Sequence, residues 1–263
     1  MFTRYIHELA GLANATGMKT VAAYVWATCL ELPTVISSRN LAAADKRIEG
    51  KVTFWTWGQP VAIDCKAIDA DLQFDQSSCF GLAREIYGRN VYLRPFRKFT
   101  AQGKAAIDLG GNRGLVTAML VAAIEPETIL YVEPDERYVS TMRALTSPFK
   151  KTAVVAQHGF AGASPTNDAP LDIDSIAPRN AIAFVKMDIE GAEEALLSRA
   201  GPWLDRVERI AMESHPELCN VANVVRSLED LGFTTLATDA IGRAVDPGTA
   251  MFVYGARNPE NFV

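Results

Sequence analysis

Four short stretches hold residues whose types and spacing can do chemistry. Asp108-Leu109-Gly110-Gly111-Asn112-Arg113-Gly114 lies between a short apolar run, Ala105–Leu109, and an almost wholly apolar one, Leu115–Ile124. Glycines accept the backbone angles of a tight turn and let a ligand approach the main chain. A helix beginning after them offers free N–H groups to a polar ligand. Glu133, in Tyr131-Val132-Glu133-Pro134, closes the next apolar run. A carboxylate at that place can accept two hydrogen bonds from a ribose diol. Lys186-Met187-Asp188-Ile189-Glu190-Gly191-Ala192-Glu193 and Glu213-Ser214-His215-Pro216-Glu217 each follow a later apolar run. They supply carboxylates and a histidine, whose ordinary pKa suits proton transfer at neutral pH.

Positioning such groups requires a particular scaffold. From Lys104 onward, strand-like runs (Ala105–Leu109, Thr128–Val132, Ala153–Ala156, Ala181–Met187, Arg209–Met212, Phe233–Thr238 and Ala250–Tyr254) are interleaved with helix-like ones. Leu115–Ile124, Asp135–Leu145, Ala192–Ala200 and Val221–Leu231 are the helical segments, the last strongly amphipathic and stopped by Gly232. This alternation predicts an α/β fold, a mostly parallel sheet with helices on both faces. In such sheets ligands bind beyond the carboxyl ends of the strands. All four stretches fall at those ends.

The glycine turn is selective about its ligand. A dinucleotide fingerprint, G-x-G-x-x-G, needs further glycines at 112 and 115 or at 113 and 116, where the chain has Asn112, Leu115, Arg113 and Val116. The pattern D-x-G-x-N-x-G instead resembles motif I of class I methyltransferases dependent on S-adenosylmethionine (SAM). Together with Glu133, the segment Lys186–Glu193 and Glu213-Ser214-His215, it resembles the FkbM family of those enzymes over about residues 105–216. Leu171-Asp172-Ile173-Asp174-Ser175-Ile176 resembles that family's Leu-Asp stretch. The resemblance implies a Rossmann-like seven-stranded sheet ending in a reversed hairpin. It also implies methyl transfer, usually to a hydroxyl of a sugar, polyketide or other small molecule. On this reading Asp108, Gly110, Asn112, Gly114 and Glu133 bind SAM, Asp108 and the turn taking its amino acid end. His215 is the expected base, with Asp188 beside it. Asp188, Glu190 and Glu213 are also of the type that hold a hard divalent ion. Capping of helix N–H groups and pairing with Lys186 or arginines is the preferred account of them, so no metal is assigned. The alternative function is a non-catalytic SAM-binding regulatory module, which needs neither His215 nor Asp188.

The remaining features set bounds. The chain has 263 residues, 49% apolar and 22% charged, enough for a full core. Its net charge is −5 with basic residues dispersed, so a small-molecule acceptor is expected rather than a nucleic acid. Arg94-Pro95-Phe96-Arg97-Lys98 reads as a solvated face rather than an anion site. Cys29, Cys65, Cys79 and Cys219 form no metal-type spacing and read as free thiols, with a cytoplasmic setting. Residues 1–100 read as an α+β extension, a lid or acceptor-binding wall, before a SAM-binding domain at 101–263. Within the extension, 4–31 is helical with a break near Gly11 or Gly17, and Pro33 ends the pattern. Thr20–Leu30 is too short to span a bilayer and reads as a core or interface helix. Lys51–Trp57 and Val61–Cys65 form a hairpin, with Trp55 and Trp57 as its core. Cys79–Gly88 is a short helix and Val91–Leu93 a short strand.

Overall fold

The structure is a computed structural model that describes residues 2–48, 50–72, 77–162, 169–199 and 201–263. The chain divides into two compact units, Met1–Val91 and Tyr92–Val263.

The first unit opens with helices Phe2–Thr16 and Met18–Leu30, separated at Gly17, whose φ of 86° suits a residue without Cβ. Pro33 does not end the helical region. It sits in the first turn of a new helix, Leu32–Ser38, where its missing N–H costs nothing. Helix Ala42–Asp45 follows. Strands β1 (Lys51–Thr56) and β2 (Gln59–Asp64) pair antiparallel around Trp57-Gly58, both at positive φ, a two-residue turn whose twist matches the strands. Val52, Phe54 and Thr56 face the core, which leaves Trp55 on the other face, 48% exposed. The pleat fixes this, so Trp55 is not the hairpin core expected of it. Helices Cys65–Asp71 and Cys79–Ala83 complete the unit, the second running on into a π-helical turn, Arg84–Gly88.

Arg84 is buried among carboxylates. It makes paired bonds to Asp45 at 2.9 and 3.0 Å and meets Glu8 at 2.5 Å. Tyr24 stacks near this guanidinium and 5.5 Å from Phe80.

The second unit contains β3 (Ala105–Leu109), β4 (Thr128–Glu133), β5 (Ala153–His158), β6 (Ile182–Met187), β7 (Arg209–Glu213), β8 (Thr234–Thr238) and β9 (Phe252–Ala256). Their order in the sheet is β5-β4-β3-β6-β7-β9-β8, and β9 alone runs antiparallel to its neighbours. This is the Rossmann-like seven-stranded sheet with a reversed hairpin that the resemblance implies. Strands β3 and β6 are wholly buried, so they read as continuous apolar runs. Helix Leu115–Ile124 is buried at nearly every position, which explains its lack of a polar face. Val221–Asp230 instead buries only Val221, Val224, Val225 and Leu228.

Two expectations change here. Residues 91–93 form turns rather than a strand, and Tyr92–Thr100 belongs to the sheet-bearing unit. Aromatic contacts account for the latter. Tyr92 lies edge-on to Phe252 at 6.2 Å, and Phe96 packs on Phe184 and Tyr254 at 5.7 and 5.9 Å. The basic run is therefore not a uniform solvated face: Phe96 is buried and Arg94 half-buried, while Arg97 and Lys98 are exposed.

Candidate active site at the carboxyl edge of the sheet

The strand order reverses between β3 and β6, and the site lies beyond their carboxyl ends, where this topology opens a crevice. The turn after β3 is fixed by contacts on both sides. Gly110 has φ 72°, and a Cβ there would lie 1.7 Å from the Asp188 carbonyl oxygen. Only glycine lets β3 and the end of β6 approach so closely. Gly114, at φ 78°, begins helix Leu115–Ile124 and faces Met142, which a Cβ would strike at 2.5 Å. Packing thus accounts for its glycine identity.

Asn112 also takes the left-handed conformation, at φ 46°. Its amide donates to Glu133 Oε2 at 2.7 Å, and its carbonyl accepts from the Tyr131 hydroxyl at 2.5 Å. The other Glu133 oxygen accepts from the Asp135 amide at 2.9 Å. Glu133 is therefore held rigidly by backbone donors, each oxygen keeping a further lone pair for a ligand. Burial raises its pKa, partly offset by those two amides.

Asp108 lies deeper than expected. Its carboxylate is fully buried, accepting from Thr117 Oγ1 at 2.6 Å and facing Lys186 Nζ at 3.2 Å. It lies beneath the turn, between Thr117 and Lys186. Lys186 is the link between the two halves of the site. Its ammonium reaches Asp108, stands 3.7 Å from Asp188, and donates to the Leu109 and Gly110 carbonyls. Burial works against its charge, but Asp108 and Asp188 outweigh it and hold its pKa above the ordinary value.

Asp188, Glu190, Glu213 and His215 come together beyond β6 and β7. His215 Nε2 lies 3.4 Å from Glu190 and 3.9 Å from Asp188, and its Nδ1 lies 3.6 Å from the buried Glu193. At 3.6 Å the last contact is an ion pair, longer than a hydrogen bond. Glu193 also accepts from the Ile189 amide at 3.1 Å, so this acid ties down the turn before its own helix and faces the imidazole. Pairing with Glu193, against burial and with help from Asp188, raises His215 to about 9. These carboxylates favour the protonated ring over the neutral one.

Glu213 has the opposite character. Burial first, and then Asp188, push its carboxyl up to about 7, against the Tyr92 hydroxyl and Lys186. Tyr92 donates to Glu213 at 3.1 Å and stands 3.4 Å from Asp188. Burial and these carboxylates carry its own pKa far above the ordinary tyrosine value. Tyr92 went unrecognised in the sequence because it lies 121 residues from Glu213 and carries no motif. Asp188, Glu190 and His215 each present a ligand atom within 4.8 Å of the others, a spacing that also suits a single cation. Asp188 is also ion-paired with Lys186, and both Asp188 and Glu190 with His215. Asp172 caps helix Ile173–Ile176, so its stretch supports the scaffold.

No protein-family model matches the sequence, and no curated protein matches it. Some solved structures are similar to it at low identity. A precorrin-6y C5,15-methyltransferase from Geobacter metallireducens is 15% identical, with 65% of this chain and 88% of that one aligned at a TM-score of 0.44. A methyltransferase from Pyrococcus furiosus is 11% identical over 73% and 94% of the two chains, TM-score 0.43. TrmK of M. capricolum, solved with S-adenosyl-homocysteine, is 10% identical over 65% and 67%, TM-score 0.40.

Proposed function

We propose that the protein is a SAM-dependent methyltransferase acting on a hydroxyl group of a small molecule such as a sugar or polyketide. One observation carries the reading. At the switch point of the sheet, the left-handed turn Gly110–Gly114 and the preset carboxylate of Glu133 sit beside a charged proton-handling cluster, with Lys186 between them. The residues suit the cofactor chemically. Glu133 retains acceptor capacity for the ribose diol, and the turn at Gly110 and Asn112 brings backbone, without bulky side chains, to the ligand. Asp108 and Gly114 serve this cradle by holding its shape. When bound, SAM supplies an electrophilic methyl group on a sulfonium centre.

The remaining work belongs to the chain: to align the acceptor oxygen and remove its proton. SAM held by Glu133 and the turn would supply the methyl group and keep the C–S electron pair on its sulfur, and the chain's part is to take the hydroxyl proton onto a protein base. Glu213 is the better matched base, since burial and the neighbouring Asp188 raise its carboxyl toward neutral pH. His215, protonated, orients Asp188 and Glu190 and offers positive charge to an acceptor oxygen as it becomes anionic. The expected roles are thus exchanged, with His215 as orienting cation and Glu213 as base. A non-catalytic SAM-binding module would have no use for a buried carboxyl raised in this way.

Calorimetric titration of the full chain should show one-site binding of SAM and none of NAD. Glu133→Ala should weaken SAM binding by about 1–3 kcal/mol, roughly five- to 150-fold, through loss of charge-assisted bonds. Folded protein that ignores SAM would reduce Asp108–Gly114 to a structural turn and end this proposal.

A further inference from the structure

Helix Met18–Leu30 is apolar on both sides. Val21, Tyr24, Ala27 and Thr28 are buried, with Tyr24 completely enclosed. Met18, Ala22, Val25, Trp26 and Cys29 follow the same helical spacing on the other side, and all are exposed. Trp26 is 65% exposed and Met18 71%. The next helix, Leu32–Ser38, bends away by 76° and continues the pattern, burying Val35 while exposing Leu32 and Ile36. A helix with an apolar solvent face normally has something covering that face.

Charge says what kind of cover fits. Lys19 is the only charged residue within Met18–Leu30. Arg39, Lys46 and Arg47 follow the second helix and are exposed. Of the two acids in this stretch, Glu31 is paired with Arg47 at 2.5 Å and Asp45 is buried on Arg84. Lys19, Arg39 and Lys46 therefore leave a local positive charge on a chain whose net charge is −5. Apolar side chains including an exposed tryptophan, with lysine and arginine flanking them, match a lipid surface with anionic headgroups.

We propose that the exposed face of helices Met18–Leu30 and Leu32–Ser38 docks on an anionic lipid bilayer surface. The contact is peripheral. No single helix among the described residues is long and apolar enough to cross a membrane. Although Met18–Leu30 and Leu32–Ser38 reach that length and hydropathy together, a 76° bend breaks them, and Tyr24 with its neighbours anchors the opposite side of Met18–Leu30 in the protein's own core. The face is formed by residues of the first unit and the proposed active site by residues of the second, so this inference stands apart from the methyltransferase reading.

Flotation of the full chain through a density gradient tests it directly. With vesicles of phosphatidylcholine and phosphatidylglycerol, the wild type should rise with the lipid, and raised salt should weaken that binding. The double variant Trp26→Ser/Ile36→Ser alters exposed positions only, so it should keep its circular dichroism and melting temperature yet remain at the bottom. Lys19→Glu/Arg39→Glu should cut the floated fraction severalfold. Folded wild type that stays behind, or a double variant that floats as well as wild type, would overturn the proposal. So would a dimer, seen by light scattering without flotation, that the same double variant splits. That result would assign the face to a second copy of the chain.

Discussion

At the residue scale, the structure redistributes protons within the cluster that the sequence identified. His215 holds its proton because Glu193, Asp188 and Glu190 surround it, and its pKa of about 9 lies above the ordinary 6.5. A histidine raised in this way adds stability that is fully present below about pH 6.5 and is lost as pH rises through 9. His215→Gln should therefore lower the melting temperature relative to wild type at pH 6, and the two curves should converge above pH 9. A gap that persists unchanged at pH 10 would mean the ring acts through packing rather than charge. Glu213 carries a cost with the same pH dependence. Its folded pKa of about 7 lies above the ordinary 4.5, so stability from this group is present below about pH 4.5 and declines as pH rises through 7. Such a cost at a strand end is common where a carboxyl is tuned for proton transfer.

At the scale of elements, the site depends on the close approach of β3 and β6. Gly103 and Gly110 share nearly the same φ, 71° and 72°, but differ in surroundings: a Cβ at Gly103 meets nothing within 4 Å, while one at Gly110 strikes the Asp188 carbonyl. Gly103→Ala should cost about 1 kcal/mol, from the left-handed backbone alone. Gly110→Ala should cost several kcal/mol more in chemical denaturation, because backbone must move. Equal losses would contradict the strand contact described. A similar argument applies in the first unit, where the π-helical turn places Arg84 between Glu8 and Asp45. Arg84→Met takes the paired guanidinium from the buried Asp45, while Glu8 keeps Arg89, and should destabilise by about 3–5 kcal/mol.

At the scale of the molecule, ligand binding and stability are linked. A ligand that binds only the folded state raises stability with its concentration, by about 2.7 kcal/mol at a hundred times its Kd. SAM should raise the melting temperature in this graded way, and NAD at equal concentration should not. A flat response to SAM would separate the fold from the proposed chemistry.

Much of this arrangement was legible in the sequence. Alternating apolar runs marked the strands, because parallel strands buried on both faces leave no polar periodicity. The glycine turn, Glu133, Asp188 and His215 were identified because turns and strand ends impose local residue requirements that spacing reveals. What remained hidden was set by contacts distant in the chain. The depth of Asp108 depends on Lys186, the proton on His215 depends on the burial of Glu193, and the raised carboxyl of Glu213 depends on burial beside Asp188 and Tyr92. Local sequence dictates backbone geometry and apolar pattern. Only the tertiary structure sets which charges lie side by side away from water, and that proximity decides their protonation and their chemistry.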